Sequence, residues 1–377
     1  MESSHRRIAL LPLLLLLGAC SSAPCRAPSP SVQMVDEAVG GLGQTLDALL
    51  ADEHADGAFE GVALVAQGDE VVLRKGYGCR DRNRKRPATP ESISDIGSVA
   101  KTFTAAAILR LEAAGLLSGD DRIERFYPDA PLDKRAITLR QLLVHTSGLE
   151  DFHADSDFEP MTRDEAEARI LALPLLSAPG AKEAYSNAGY TLLAAIVERA
   201  SGQSFDAYVR RELLVPAGLA DTGWYGSPHI DAERLARGYG GERKGRTTFE
   251  RELTWALAGG GGMVSTVDDL HRWYRWLATG RLLDRDPARI FARAGEGRWS
   301  EGSWRSIAIG DAQAVEMGGS TDFGYTAKIQ YLAQADTLVV LLFNGYSRKY
   351  GPGTHHAIAN RVLVPAIVAG GNNRMQP

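Results

Sequence analysis

Strand-like segments crowd both ends of this chain of 377 residues and are scarce in its middle. That distribution constrains the fold more than any other feature. Residues 61–66 and 70–74 are apolar and rich in valine, and Gln67-Gly68-Asp69 between them is a tight hairpin signal. Near the other end, residues 306–309, 325–331 and 337–343 read as strands, with Asp336 in the last turn. Residues 115 to about 286 carry mostly helical spacing and loops. Strands at both ends with a helical middle argue for one sheet built from both parts. The expected fold is α+β, an α-β sandwich. One antiparallel sheet is built from N- and C-terminal strands and flanked by helices, with a mainly helical region (about 115–290) inserted between its two parts.

Helices are expected over residues 35–53, 101–112, 137–145, 162–173, 187–201, 204–215, 267–277 and 354–368. Thr162 and Glu165 form a capping box, and Gly148 is a candidate cap after the helix of 137–145. The charged run 80–86 reads as a solvated loop. The net charge of −5 comes without any basic stripe, which argues against a nucleic-acid partner. No Cys/His group has zinc spacing, so no metal or other cofactor is expected.

The first residues carry an address. Arg6-Arg7 precede an apolar stretch, 8–17, too short to span a bilayer. The stretch ends in Leu17-Gly18-Ala19-Cys20, which resembles the lipobox of bacterial lipoproteins. That resemblance implies cleavage after residue 19, a lipid anchor on Cys20 and a place in the cell envelope, at the outer membrane if the host has one. A secretory signal with a chance cysteine is the alternative. Residues 20–34, rich in Ser, Pro and Ala, read as a tether to a domain over 35–370, with 371–377 as a tail. Cys25 and Cys79 can pair in an oxidising compartment, though sequence alone does not fix it.

The chemistry centres on Gly97-Ser98-Val99-Ala100-Lys101, where an extended segment runs into a helix. Ser98 and Lys101, three apart, share a helical face. Ser98 lies in the first turn, where free N–H groups favour negative charge. A desolvated lysine has a lowered pKa and can take the serine proton. Alone, the pair also reads as a helix start with a surface lysine. Tyr185-Ser186-Asn187 is a second candidate: a tyrosine in a cationic pocket ionises more easily, and Asn187 can orient a lysine and a carbonyl. By themselves these two also read as a packing residue and a cap. Met317-Gly318-Gly319-Ser320 is a third, placed just before a strand, where glycines let backbone approach a ligand.

Together these three sites resemble the serine beta-lactamase and penicillin-binding-protein superfamily. Within it, they resemble the branch of AmpC-type lactamases, D-alanyl-D-alanine carboxypeptidases, D-aminopeptidases and esterases. The stretches 141–149, 185–190 and 260–270 are also similar to signatures of that branch. The resemblance implies an acyl-enzyme on Ser98, with Lys101 as proton acceptor. It also implies Tyr185 as proton shuttle, Asn187 as support, and an oxyanion hole from the N–H groups of Ser98 and Ser320 beside Gly319. His145 is structural in that family, and no Gly-x-Ser-x-Gly elbow is present. The substrate would be a small molecule or peptide. One position departs from the pattern: Met317 stands where Lys or His is usual, which removes a cation for a substrate carboxylate. Arg305, Lys328 and Arg348 are candidates to replace it. The expected activity is ester or amide hydrolysis with weak or no lactamase turnover. The competing readings are a silent or penicillin-binding envelope protein and a true lactamase or D-Ala carboxypeptidase.

Overall fold

The computed structural model describes residues 37–241, 245–283, 288–295 and 297–372. Cys20 and Cys25 lie outside the described residues. Among those described, the strands are β1 (Glu37–Ala38), β2 (Gly61–Gln67), β3 (Glu70–Tyr77), β4 (Cys79–Asp81), β5 (Arg86–Pro87), β6 (Ser94–Asp95), β7 (Gly223–Trp224), β8 (Met263–Ser265), β9 (Arg305–Ile309), β10 (Ala312–Ser320), β11 (Thr326–Leu332) and β12 (Thr337–Phe343). Seven of them form one sheet in the order β1-β3-β2-β12-β11-β10-β9, antiparallel throughout. The expected joining of the two chain ends happens between β2 and β12, which pair from Thr337↔Gln67 to Phe343↔Gly61. The turns on either side meet as well: Gly68, at φ +59°, donates its N–H to Asp336 O at 2.7 Å. That positive φ suits glycine because a Cβ would be strained there.

Side chains along β2 and β12 alternate between two cores, as a pleated strand requires. Ala63, Val65, Val339, Leu341 and Phe343 pack against Leu46 and Leu50 of α1 (Gly40–Ala55), and against Ile358, Leu363 and Ile367 near the C-terminus. Val62, Leu64, Val340 and Leu342 face the helical region. There α2 (Lys101–Ala113) is buried on nearly every side, from Lys101 through Leu109. A helix apolar all round belongs in a core. Phe103 stacks on Trp273 with ring centroids 4.2 Å apart, and the indole N–H donates to Thr102 Oγ1 at 2.9 Å. Each such buried large side chain contributes roughly 1.5–3 kcal/mol. The remaining helices that matter for the site are α3 (Leu139–Leu143), α4 (Arg163–Ala172) and α5 (Asn187–Ser201).

The Thr162–Glu165 capping box forms as expected. Other local expectations need correction. The first helix starts at Gly40 rather than residue 35. The charged run 80–86 is not simply a loop, since β4 and β5 pair across it and Asp81 is buried in ion-pair reach of Arg84 and Arg237. Gly148 does not cap α3: the helix ends at Leu143, and the left-handed residue after it is His145, at φ +59°. Met317 to Ser320 precede β11, as expected, but they also belong to a strand themselves. They are the end of β10, a strand whose alternation is hidden because Glu316 and Met317 are buried consecutively before two glycines. Cys79 is disulfide-bonded.

Candidate active site

Ser98 sits in a single 3-10 turn, Gly97–Ala100, that leads directly into α2. The turn is anchored from below. Asp95 is buried, and its Oδ1 accepts the Gly97 N–H at 2.8 Å while its Oδ2 accepts the Tyr225 hydroxyl at 2.5 Å. Burial pushes the Asp95 carboxyl up to about 6. Gly97 has φ +49°, and a Cβ there would fall 2.8 Å from Ser320 N. A Cβ on Gly319 would fall 2.5 Å from Ser98 N and 2.3 Å from Ile96 O. Only glycine lets β10 and the Ser98 turn come this close.

The end of β10 is also free on one edge. Its pairing with β9 stops at Glu316↔Arg305. On the other edge Thr321 N–H donates to Tyr325 O at 3.0 Å. Hydrogen-bonded pairs alternate along an antiparallel ladder, so the Ser320 N–H points the opposite way, toward Gly97 and Ser98. The Ser320 N–H, one of the two expected backbone donors, thus faces the Ser98 turn.

The side chains converge on Ser98 Oγ. Lys101 Nζ lies 3.2 Å from it, and the Tyr185 hydroxyl donates to it at 2.8 Å. Lys101 is fully buried and also donates to Asn187 Oδ1 and to Gly260 O, each at 2.6 Å. Both of those partners are acceptors only. A neutral amine therefore spends its two hydrogens on them and turns its lone pair to Ser98. Burial lowers Lys101 to about 7, opposed by the carboxylates of Asp151 and Asp157. The glycine run 259–262, legible in sequence as a place of close backbone approach, approaches this lysine.

Asp151 is the residue that sequence reasoning missed. Its Oδ1 accepts from Asn187 Nδ2 at 2.7 Å and from the Asn187 N–H at 3.0 Å. A carboxylate offers no proton, so the amide must turn its oxygen to Lys101. Asp151 stands 36 positions from Asn187, and no local pattern marks it.

Tyr185 differs from expectation. Its surroundings do not favour the phenolate: burial raises its pKa above the usual range, the Ser98 hydrogen bond opposes this, and Asp151 and Asp157 add to it. The site thus holds a neutral tyrosine beside a lysine of low pKa. His145 lies behind it, with ring centroids 4.5 Å from Tyr185 and 4.7 Å from Trp299. Its Nδ1 accepts the Ser186 N–H at 3.1 Å, and burial holds the ring neutral. Among the described residues it has no hydrogen bond to Ser98.

Two spaces open beside Ser98. One, about 300 Å³, is lined by Asp151, Asp157 and Asp322 together with Phe158 and Tyr346. The other, about 540 Å³, is lined by Tyr185, Met317, Gly319, Arg298 and Arg305. Met317 is buried in the core, so no cation occupies its position. Arg348 is exposed and does not line either space, and Lys328 is sealed against Glu316.

Known proteins share this arrangement of chain. A penicillin-binding protein of Bacillus subtilis (strain 168) is 34% identical over 199 residues, covering 51% of this chain and 43% of that protein. Esterase EstB of Burkholderia gladioli is 29% identical over 269 residues, covering 61% of this chain and 68% of the esterase. The chain spans about half the length of several such relatives. The crystal structure of D-amino acid amidase from Ochrobactrum anthropi superposes with a TM-score of 0.74 at 22% identity, over 88% of this chain and all of the amidase, which establishes the shared fold. The family model described as Beta-lactamase matches residues 46–362, nearly the whole described chain, and this protein therefore belongs to the beta-lactamase family.

Proposed function

We propose that this chain is a serine hydrolase that forms an acyl-enzyme at Ser98 and hydrolyses an ester or amide. The observation that carries this reading is the bracketing of Ser98 Oγ by Lys101 Nζ at 3.2 Å and Tyr185 Oη at 2.8 Å. Neutral Lys101 takes the Ser98 proton as Oγ bonds to the carbonyl carbon. The negative oxygen that forms is received by the N–H groups of Ser98 and Ser320. As the intermediate collapses, the leaving group needs a proton. Lysine returns it through the Tyr185 hydroxyl, which hands on one proton as it receives another and so need not ionise in the resting site. Water then attacks the ester on Ser98 with the same groups acting in reverse. Asn187 and Asp151 hold Lys101 in place.

Met317 shapes the substrate range. A thioether cannot bind a carboxylate at that position, so β-lactam turnover is expected to be weak or absent. Intact mass after treatment with a fluorophosphonate tests the nucleophile. An adduct on the wild type and none on Ser98→Ala is expected, whereas no adduct on the folded wild type removes the reading. Treatment with a penicillin tests the range: rapid turnover contradicts the assignment to Met317. A penicillin adduct that persists favours the second reading, a penicillin-binding protein, in keeping with the name of the Bacillus relative.

The address is a proposal as well. We infer that Cys20 carries a lipid that holds the domain at the envelope. Labelled fatty acid should enter the wild type and not Cys20→Ala in a bacterial host, and equal labelling of both would refute it.

A further inference from the structure

Cys79 opens the charged hairpin of β4 and β5, and it is disulfide-bonded. The chain has three cysteines, Cys20, Cys25 and Cys79. A lipid on Cys20 consumes that thiol and leaves Cys25 as the partner. Such a bond forms when two thiols give up two protons and two electrons to a disulfide oxidant of the envelope. Its consequence is one of length. From Cys20 to Glu37, where the described fold begins, the chain takes 17 steps and can reach about 60 Å. From Cys20 to Cys25 it takes five and reaches at most about 18 Å. A bridge to Cys79 therefore exchanges a long tether for a short one. It also moves the point of attachment from β1, at one edge of the sheet, to the start of the hairpin.

The hairpin is fastened to the rest of the domain. Cys79 O accepts from Asn344 Nδ2 at 2.8 Å, Arg80 O accepts the Arg237 N–H at 2.7 Å, and the Arg82 N–H donates to Tyr239 Oη at 2.8 Å. Whatever orients the hairpin thus orients the molecule. In a chain of net charge −5, the hairpin carries a local positive surplus. Arg80, Arg82, Arg84, Lys85 and Arg86 stand on it with one carboxylate, Asp81. Asp81 is buried and shared between Arg84 and Arg237. Glu60 comes from outside to pair with Arg82, Glu233 to pair with Arg86, and Arg237 has Glu250 as a second partner. Among the described residues, Arg80 and Lys85 have no carboxylate in ion-pair reach. Residues 82–85, around the turn, are exposed.

We propose that the β4–β5 hairpin is the face of this domain that lies on an anionic phospholipid surface. The lipid on Cys20 holds it there through a Cys25–Cys79 bridge, and Arg84 and Lys85 at the turn hold it by charge. The two devices reinforce each other, because a short tether keeps the cations near headgroups whose attraction fades within a Debye length. The proposal rests on the lipid reading for its anchor, and the charged surface is tested apart from it.

The test places the full chain, purified from bacterial membranes, in vesicles of phosphatidylcholine with or without phosphatidylglycerol. Peptide mapping without reductant should find Cys25 joined to Cys79. Cys79 joined to Cys20, or to a second copy of the chain, overturns the proposal. A water-soluble amine reagent then compares Lys85 with Lys182, an exposed lysine before α5. Phosphatidylglycerol should slow the labelling of Lys85 about ten-fold and leave Lys182 unchanged, and about 0.5 M salt should remove most of the difference. Arg84→Gln and Cys25→Ser should each weaken this protection while the lipid keeps the protein on the vesicles. Equal labelling of Lys85 on the two kinds of vesicle overturns the surface. Co-sedimentation of Cys20→Ala, which has no site for the lipid, separates the two readings. Binding to phosphatidylglycerol vesicles that falls roughly twenty-fold on changing both Arg84 and Lys85 to Gln upholds the surface, even where the wild type proves to carry no lipid. A lipid-bearing wild type whose Lys85 stays open refutes the surface and keeps the anchor.

Discussion

At the scale of single residues the site is a problem in where protons rest. Lys101 is fully buried, held to about 7, and aimed at Ser98 by two carbonyl acceptors. In the proposed mechanism its neutral form is the base. The neutral fraction grows with pH, so kcat/KM for a neutral ester should rise about ten-fold per unit below the lysine pKa and level off above about 7. Asp151 supports the protonated form, so its charge raises this inflection. Asp151→Asn keeps an acceptor for Asn187 and removes the charge. The inflection should then move to lower pH, and an unchanged or higher inflection would mean that the profile does not report Lys101. Ser98 and Lys101 were legible in sequence because one helical turn brings them together. Asp151 was not, because its tie to Asn187 exists only after α5 has docked against the loop that follows α3. Tyr185 was legible as a position and misjudged as an acid, since burial, which sequence does not show, raises its pKa and the charges of Asp151 and Asp157 add to it.

At the scale of elements the decisive contact is between the end of β10 and the 3-10 turn of Ser98. Two glycines, one on each side, set how closely two backbones meet. Gly319→Ala would place a carbon 2.3 Å from Ile96 O and 2.5 Å from Ser98 N. The strand and the turn must separate, at a cost of about 1–3 kcal/mol, typical of overpacking. The two N–H donors separate with them, so kcat should fall roughly a hundred-fold or more, the cost of losing an oxyanion donor. Thermal melting together with kcat checks this: a full loss of stability with kcat intact in the surviving fold would contradict it. Sequence suggested a glycine-lined approach just before β11 but did not show that the same residues end β10. The buried Glu316 breaks the polar-apolar alternation that would have revealed β10, and its reason for being inside is Lys328, on the adjacent strand.

At the scale of the whole molecule the sheet has two halves, and β12 is the seam. The hairpin of β2 and β3 joins β11, β10 and β9 only through it. The presence of strands at both ends was plain from the sequence. Which of them lies centrally was not, because β2, β11 and β12 are all apolar enough to be interior. Leu341 is fully buried between the sheet and the terminal helices. Leu341→Ala should cost about 3 kcal/mol, read as a lower urea midpoint, and a loss well under 1 kcal/mol would show that the seam is not under tension from packing there. The placement of that seam has a bearing on time. Ser98 is made early, and the strand that unites the sheet follows only after the helical region between them. The sheet that positions the Ser98 turn therefore cannot close until residues 337–343 have been made.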